Sequence, residues 1–484
     1  MTFATYRAQW ACNPLREVLA GMVGTFALIP EVIAFSYVAG ITPATALYAS
    51  FVLGVAIAVT GGRPGMISGA AGSVALVAAA LVHRHGAQYM LAATLMAGAL
   101  QVIFGLCRLQ VLMRFVSREV RTGFVNALAI LIFSAQIPQM THVNWQGCAL
   151  VALGLAIIYL LPRLGTAIPS PLICIVALTA LTLWHPMPVR TVADLGALPD
   201  GLPTLALPHV PMTWETLGLV FPYALAMAAV GLLESLMTAR VVDDTTDTHG
   251  DPRMESTGLG VSNILAGLFG GIAGCGMIGQ TVGNLRYGGR GRLSTFTAGA
   301  FLLLLTTVLH RYVAQVPMAA LVAIMIMVSI STFSWSSLRD LLRHPRLSSL
   351  TMLVTVAVVV ATHDLAAGVG VGVLLSGVFF AWRVMGLLHV EKHTSGRADL
   401  YIVRGQVFFA SAELLYDAVD FHTTSKIVAI AVHDARFWDV TAVGMLEKIV
   451  AKLRDRGIDV QVEGLHREQH GLIDDLSDEP LLAM

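Results

Sequence analysis

VLAGMVGTFALIPEVIAFSYV, residues 18–38, is an apolar run that carries Pro30 and Glu31 side by side. It is long enough to cross a bilayer as one helix, which takes about 20 apolar residues. An acidic residue at the centre of such a helix costs roughly 3 kcal/mol on insertion scales, so intramembrane acids face a partner, a cavity or a proton path. Pro30 removes one backbone donor and crowds the preceding turn, which frees carbonyls beside the carboxylate. The pair predicts an interrupted helix at a binding site, with Glu31 as a functional residue.

The chain keeps this character over most of its length. Of its 484 residues, 56% are hydrophobic and 12% charged, with a mean hydropathy of +0.74. That composition belongs to a polytopic membrane protein. The formal net charge of zero hides two unlike parts: residues 1–397 hold 22 Lys and Arg against 15 Asp and Glu, and the remainder holds 8 against 15. The expected organisation is a cytoplasmic N-terminus over 1–14, a transmembrane domain over 15–390 and an acidic soluble domain over 398–484. Residues 1–14 lack the apolar region of a cleavable signal.

Fourteen apolar segments fall near 15–38, 43–61, 68–82, 88–107, 115–137, 146–161 and 168–185, then, after a proline-rich connector, near 214–239, 256–273, 276–285, 293–310, 317–335, 347–362 and 366–388. With the N-terminus inside, 19 of the 22 basic residues of the membrane part lie on inside loops, leaving Arg84, Arg190 and Arg311 outside. That bias orients both termini to the cytoplasm. Seven spans per half make the second half start on the opposite side, so the halves, about 15–186 and 213–390, form an inverted repeat. Glu31 has its counterpart in Glu234, 203 residues on, and SGAAG at 68–72 has its counterpart in GIAGC at 271–275 at the same spacing. Both third spans are short and rich in glycine, which points to half-helices aiming free N–H groups at a midplane anion.

These stretches resemble a known family. PEVIAFSYVAGITPATALYASF (30–51), GGRPGMISGAAGSVALV (61–77), GLLESLMTARVVDD (231–244) and GGIAGCGMIGQTVGNLRYGGRGRLS (270–294) are similar to the signature of SulP-type anion transporters. YIVRGQVFFASAELL (401–415) and IVAIAVHDARFWDVTAVGMLEKIV (427–450) resemble a STAS domain of α/β fold. The resemblance implies fourteen spans as a seven-plus-seven inverted repeat with two short half-helix spans, a core domain moving against a gate domain, and a homodimer in a bacterial inner membrane. It places the substrate among Glu31, Phe35, Ala71, Gly72, Ser73, Gly276, Met277, Ile278 and Gly279. Glu234 and Thr238 stand where sodium-coupled bicarbonate members have an Asp and a Thr, a candidate cation site that the glutamate and the apolar Met277 and Ile278 argue against. Thr441, after Asp439, stands where related bacterial regulators carry a phosphorylatable residue, with helix capping as the competing reading.

The function read from these residues is secondary active transport of a small anion, as proton-coupled symport through Glu31, Glu234 or both, of a dicarboxylate first, then bicarbonate, then sulfate. An anion approaching an ionised Glu31 is repelled, whereas a protonated Glu31 donates a hydrogen bond to it. The alternatives are a sodium-coupled bicarbonate or sulfate transporter, a passive anion channel, and a membrane-anchored sensor. The partners expected are the anion, protons, the lipid bilayer and a second copy, with no nucleic acid. Cys12, Cys107, Cys148, Cys174 and Cys275 stand singly and read as free packing thiols, so neither a metal nor a cofactor is expected, and no enzyme motif is present. The acidic loop with Asp243, Asp244, Asp247 and Asp251 lacks EF-hand spacing and reads as solvated, and Gly368, Gly370 and Gly372 read as helix packing.

Overall fold

The structure, a computed structural model, describes residues 3–11, 13–141, 145–164, 170–195, 201–308, 310–343, 345–395 and 398–464. Cys12 and the last twenty residues of the acidic tail lie outside them. The chain forms two compact units, residues 1–373 and 374–484.

In the first unit, fourteen principal helices fall on the fourteen apolar segments among the described residues. They are α1 (Pro14–Ala39), α2 (Pro43–Thr60), α3 (Gly72–His85), α4 (Ala87–Leu106), α5 (Arg118–Ser134), α6 (Trp145–Leu160), α7 (Ser170–Trp184), α8 (Trp214–Thr246), α9 (Pro252–Leu268), α10 (Ile278–Arg286), α11 (Arg292–Val308), α12 (Met318–Thr332), α13 (Arg346–Thr362) and α14 (Leu365–Met385), whose end runs into the second unit. Proline opens α1, α2 and α9, where its missing N–H costs nothing. Gly40 ends α1 at φ 69°, a conformation that glycine adopts without strain. Among the described residues, six helices are long and apolar enough to cross a membrane, or seven if the bent α1 is one span. At 14 and 9 residues, α3 and α10 are too short to cross alone.

The interruption expected at Pro30 takes the form of a bend: α1 turns by 41° between its parts Pro14–Phe26 and Glu31–Ala39, as a missing helical hydrogen bond allows. The spacing of 203 between the halves does not persist. Ala71 caps α3 and Met277 caps α10, 206 residues apart, because α8 runs well past Glu234 before the chain turns into α9.

The densest packing crosses between the halves: α4 on α9, α2 on α9 and α11, and α1 on α11. Small residues permit it, since a Cβ on Gly54 would lie 2.9 Å from Gly299 Cα, and one on Gly98 would lie 2.7 Å from the Gly260 carbonyl. A second group joins α5 to α13 and α12 to α5 and α6. Gly368 and Gly372 serve this group, where an added Cβ would strike Val359 Cγ2 at 2.0 Å and Thr355 Oγ1 at 2.4 Å.

The second unit is α/β. After two short strands of the first unit, β1 (Ser68–Gly69) and β2 (Cys275–Gly276), the tail adds β3 (His389–Ser395), β4 (Ala398–Val407), α15 (Ala412–Asp417), β5 (Ile427–Phe437), α16 (Val440–Arg454) and β6 (Asp459–Glu463). Its sheet runs β3-β4-β5-β6, antiparallel at the first pair and parallel after it. Ala442, Val443, Leu446, Ile449, Val450 and Leu453 form the buried stripe of α16 and pack with Tyr401, Val403, Val428 and Ile430. Asp439, not Thr441, caps α16: its Oδ1 accepts from Ala442 N–H at 2.9 Å and its Oδ2 from Phe409 N–H at 2.8 Å. Thr441 is exposed on the first turn.

Candidate functional site

Ser68 pairs with Gly276 and Gly69 with Cys275 in an antiparallel ladder that carries the chain into α3 on one side and α10 on the other. Neither Ala71 nor Met277 makes a side-chain cap bond, so the leading N–H groups of both half-helices keep no partner from their own helix. Side chains of neighbouring helices fix the approaches. Ala70 N–H donates to Ser50 Oγ (3.0 Å), Ala273 N–H to Thr94 Oγ1 (3.1 Å), Gly274 N–H to Asn263 Oδ1 (2.8 Å) and Gly276 N–H to Ser235 Oγ (2.8 Å).

A cavity of about 100 Å³ lies against these two ends. A water needs roughly 10–15 Å³ of such space, so the cavity has room for several waters or one small anion. Glu31 and Phe35 of α1, Ala71 and Gly72 at the tip of α3, Glu234 of α8, and Met277, Ile278 and Gly279 at the tip of α10 all line it. Phe124 and Leu128 of α5 and Val328 of α12 close the far wall. Gly72 must be small, because a Cβ there would sit 2.6 Å from Phe35 Cε1.

Three of the residues singled out in the sequence stand behind this lining. Ser73 donates its hydroxyl to Glu234 Oε2. Gly276 lies in the ladder, packed on Met66. Thr238 donates to the carbonyls of Glu234 (2.9 Å) and Gly276 (2.8 Å), which fastens α8 to the second ladder strand.

Two site residues escape the sequence reading. Gln280, on the first turn of α10, is 3% exposed and lines the cavity together with Glu31. Cys275, read as a packing thiol, donates its S–H to Glu234 Oε2 at 3.1 Å and lies 3.9 Å from Ser73 Oγ. The contacts cross between the halves. The acid of the first half meets the second half-helix, and the acid of the second half meets the first half-helix.

Further carboxylates brace the loops that lead to the site. Glu17, 2% exposed, accepts from the N–H groups of Arg290, Gly291 and Ser294 at 2.7 to 3.1 Å. Glu255, 1% exposed, accepts from Gly62 N–H (2.8 Å) and Arg63 N–H (3.0 Å). Arg292 is buried, stacks on Tyr6 and donates to the carbonyls of Ala58 and Gly61 at the end of α2. The acidic loop is not simply solvated: Asp243 pairs with Arg63 Nε at 2.8 Å, and Asp251 caps α9.

The sequence of the first unit matches the model of the sulfate permease family over residues 15–147 and 138–355. The chain belongs to the sulfate permease family. This is a family of membrane transporters, not of enzymes, and residues 389–477 match the STAS domain. The chain is 49% identical over 469 residues to the putative sulfate transporter YbaR of Bacillus subtilis (strain 168), covering 97% of this chain and 98% of the relative. It is 27% identical over 418 residues to the bicarbonate transporter BicA of Picosynechococcus sp., covering 79% and 73%. The fold is similar to that of SLC26A9, with a TM-score of 0.80 at 16% identity, covering 98% of this chain and 87% of that one. It is also similar to the transmembrane domain of a cyanobacterial BicA, with a TM-score of 0.65 at 23% identity, covering 74% and 98%.

Proposed function

We propose that this member of the sulfate permease family is a proton-coupled symporter that takes up a small anion through the cavity between α3 and α10. The observation that carries the reading is the meeting, in one cavity, of two uncapped half-helix N-termini with two carboxylates, Glu31 and Glu234. The helix ends supply positive potential for the anion. The carboxylates repel it when ionised and admit it when neutralised, so that a proton and an anion travel together. Two opposed helix ends suit a ligand with two anionic groups, which favours a dicarboxylate. The small volume, together with relatives named as sulfate and bicarbonate transporters, favours bicarbonate or sulfate as the second reading.

The same reading takes the fourteen segments, α3 and α10 each as a half-helix completed by the extended chain that leads into it, as fourteen crossings in two inverted sets of seven, in a bacterial inner membrane with both termini in the cytoplasm, in a homodimer. Residues 15–390 form the transport domain and 398–484 the cytoplasmic STAS domain, on which Thr441 is an accessible regulatory position. A sodium site at Glu234 and Thr238 is the weaker reading, because the Thr238 hydroxyl already donates to Gly276 and two donors already occupy Glu234. The test is uptake of labelled anions into proteoliposomes with and without an inward pH gradient. Stimulation by the gradient is the expected result. Anion current without such stimulation supports a channel, and neither current nor uptake supports a sensor.

A further inference from the structure

The α/β tail follows the last helix without a linker. Only Gly386, Leu387 and Leu388 join Met385, the end of α14, to His389, the start of β3. They turn tightly, with Leu387 N–H donating to the Val384 carbonyl (3.0 Å) and Leu388 N–H to the Met385 carbonyl (3.2 Å). Gly405 of β4 receives this turn: a Cβ there would lie 2.2 Å from the Leu387 carbonyl oxygen, and its φ of 105° suits glycine. All of these residues belong to the second unit.

Strand direction then decides which end of the sheet lies toward α14. β3 leads away from the helix, β4 returns antiparallel to it with Arg404 opposite His389, and β5 runs parallel to β4. The carboxyl ends of β4 and β5 therefore point back toward the helix. The pair Val407 and Phe437 stands three residues beyond Arg404, about 10 Å past the level at which the chain enters the sheet.

That end is apolar. Phe409 (65% exposed), Trp438 (61%) and Val440 (59%) stand on the two loops that follow β4 and β5. Hydrogen bonds hold them there: Phe409 N–H donates to Asp439 Oδ2 (2.8 Å), Trp438 N–H to the Val407 carbonyl (3.0 Å) and Trp438 Nε1–H to Gln406 Oε1 (2.6 Å). Three large apolar side chains fixed outside the core of their own domain mark a contact. Within residues 408–411 and 438–441 Asp439 alone is charged, and both of its oxygens already accept from N–H groups, so little polar surface opposes burial. The surface of α14 ends in the same chemistry, with Trp382 (66% exposed) on its last turns and Leu387 (55%) just beyond. Indole rings at the end of a span sit at headgroup level, with the ring toward the acyl chains and the N–H on a polar partner.

We propose that Phe409, Trp438 and Val440 form an interfacial anchor that seats the α/β tail on the lipid surface beside the end of α14. This rests on the reading of α14 as a membrane span. Lipid is the occupant because the patch lies at the end of the sheet that abuts the span and continues the apolar surface of Trp382 and Leu387. The tail then holds the bilayer twice, through the covalent turn at Leu387 and through apolar surface buried among headgroups.

The test uses the full chain in lipid nanodiscs, with phosphatidylcholine brominated near the top of its acyl chains as the quencher inside the membrane and iodide as the quencher in water. The fluorescence difference between wild type and Trp438→Phe isolates Trp438, and Trp382→Phe isolates Trp382 in the same way. Trp438 should lose about half of its intensity or more to the brominated lipid, as an indole at headgroup level does. Val440→Trp, a guard against misfolding of the Trp438 variant, adds an indole two residues on that the lipid should quench as well. Quenching of Trp382 by the lipid, with Trp438 and the indole of Val440→Trp quenched by iodide alone, overturns the anchor and leaves α14 a span. Protection of Trp438 from lipid and iodide alike also overturns it and puts a protein surface there instead. Quenching of Trp438 without quenching of Trp382 defeats the span reading and leaves the anchor standing, and lipid quenching of neither defeats both.

Discussion

Ser68 and Gly276 pair across an antiparallel ladder only two residues long, and this pair brings the tips of α3 and α10 to one cavity. Glu31 and Glu234 reach the same cavity from α1 and α8.

Glu31→Gln should fold and abolish the stimulation of uptake by an inward pH gradient, because a neutral amide cannot cycle a proton. Proteoliposome uptake at matched and unmatched pH checks it. A variant that responds like wild type removes Glu31 from the coupling.

Gly72→Leu should eliminate anion binding, since even its Cβ would lie 2.6 Å from the Phe35 ring and the rest of the side chain would fill the cavity. Gly276→Leu should do so through Met66, whose Sδ would lie 2.9 Å from a Cβ at position 276. Gly368→Leu, in a packing contact with Val359, should act on folding instead. The measurement is the ligand-induced thermal shift of purified protein. A hundredfold excess of ligand over Kd stabilises by about 2.7 kcal/mol, enough to read. Retention of the shift in both site variants would put the anion elsewhere.

Glu17→Ala should destabilise the first unit by roughly 3 kcal/mol or more, because it leaves the buried N–H groups of Arg290, Gly291 and Ser294 without their acceptor. Thermal unfolding of the purified full chain reads the change. A loss below about 0.5 kcal/mol would mean that water replaces the carboxylate there.

Asp399 gives the tail an acid limit. Burial would raise its carboxyl, but hydrogen bonds from Thr423, Thr394, Lys392 and Ser425 outweigh burial and hold it at about 2. A carboxyl lowered by folding contributes stability above its unfolded value, near 4, and that contribution is lost as the pH falls toward 2. Asp399→Asn should remove this dependence. The infrared β-sheet signal of the full chain follows it, since among the described residues the long strands lie in the tail. Equal slopes for wild type and variant between pH 5 and pH 2 would refute it.

Much of this was legible in the sequence, because apolar runs and deep carboxylates are written in one dimension. The fourteen segments and eight of the cavity residues follow from run lengths, the oddity of Glu31 and Glu234, and the family resemblance. Glu17 and Glu255 were not legible. Each looks like an ordinary acid near a helix start, and each is buried only because a loop from elsewhere in the chain folds over it. Gln280 and Cys275 were missed for a related reason: side-chain direction at a half-helix tip depends on where the cap falls, and the cap lies three residues beyond the 203-residue register. Thr441 was weighed as a cap, yet Asp439 reaches the same N–H groups with a charged oxygen.

The crossed contacts also set a schedule for the newborn chain. Ser73 waits for Glu234, 161 residues later in synthesis, and Glu31 waits longer for the tip of α10 that shares its cavity. At roughly 5–20 residues per second, the first half spends on the order of ten seconds or more in the membrane with a carboxylate and a helix end that nothing yet satisfies. During that interval its insertion depends on help from outside the chain, and a ribosome that stalls in the connector leaves behind a half-protein with exposed polar groups for quality control to recognise.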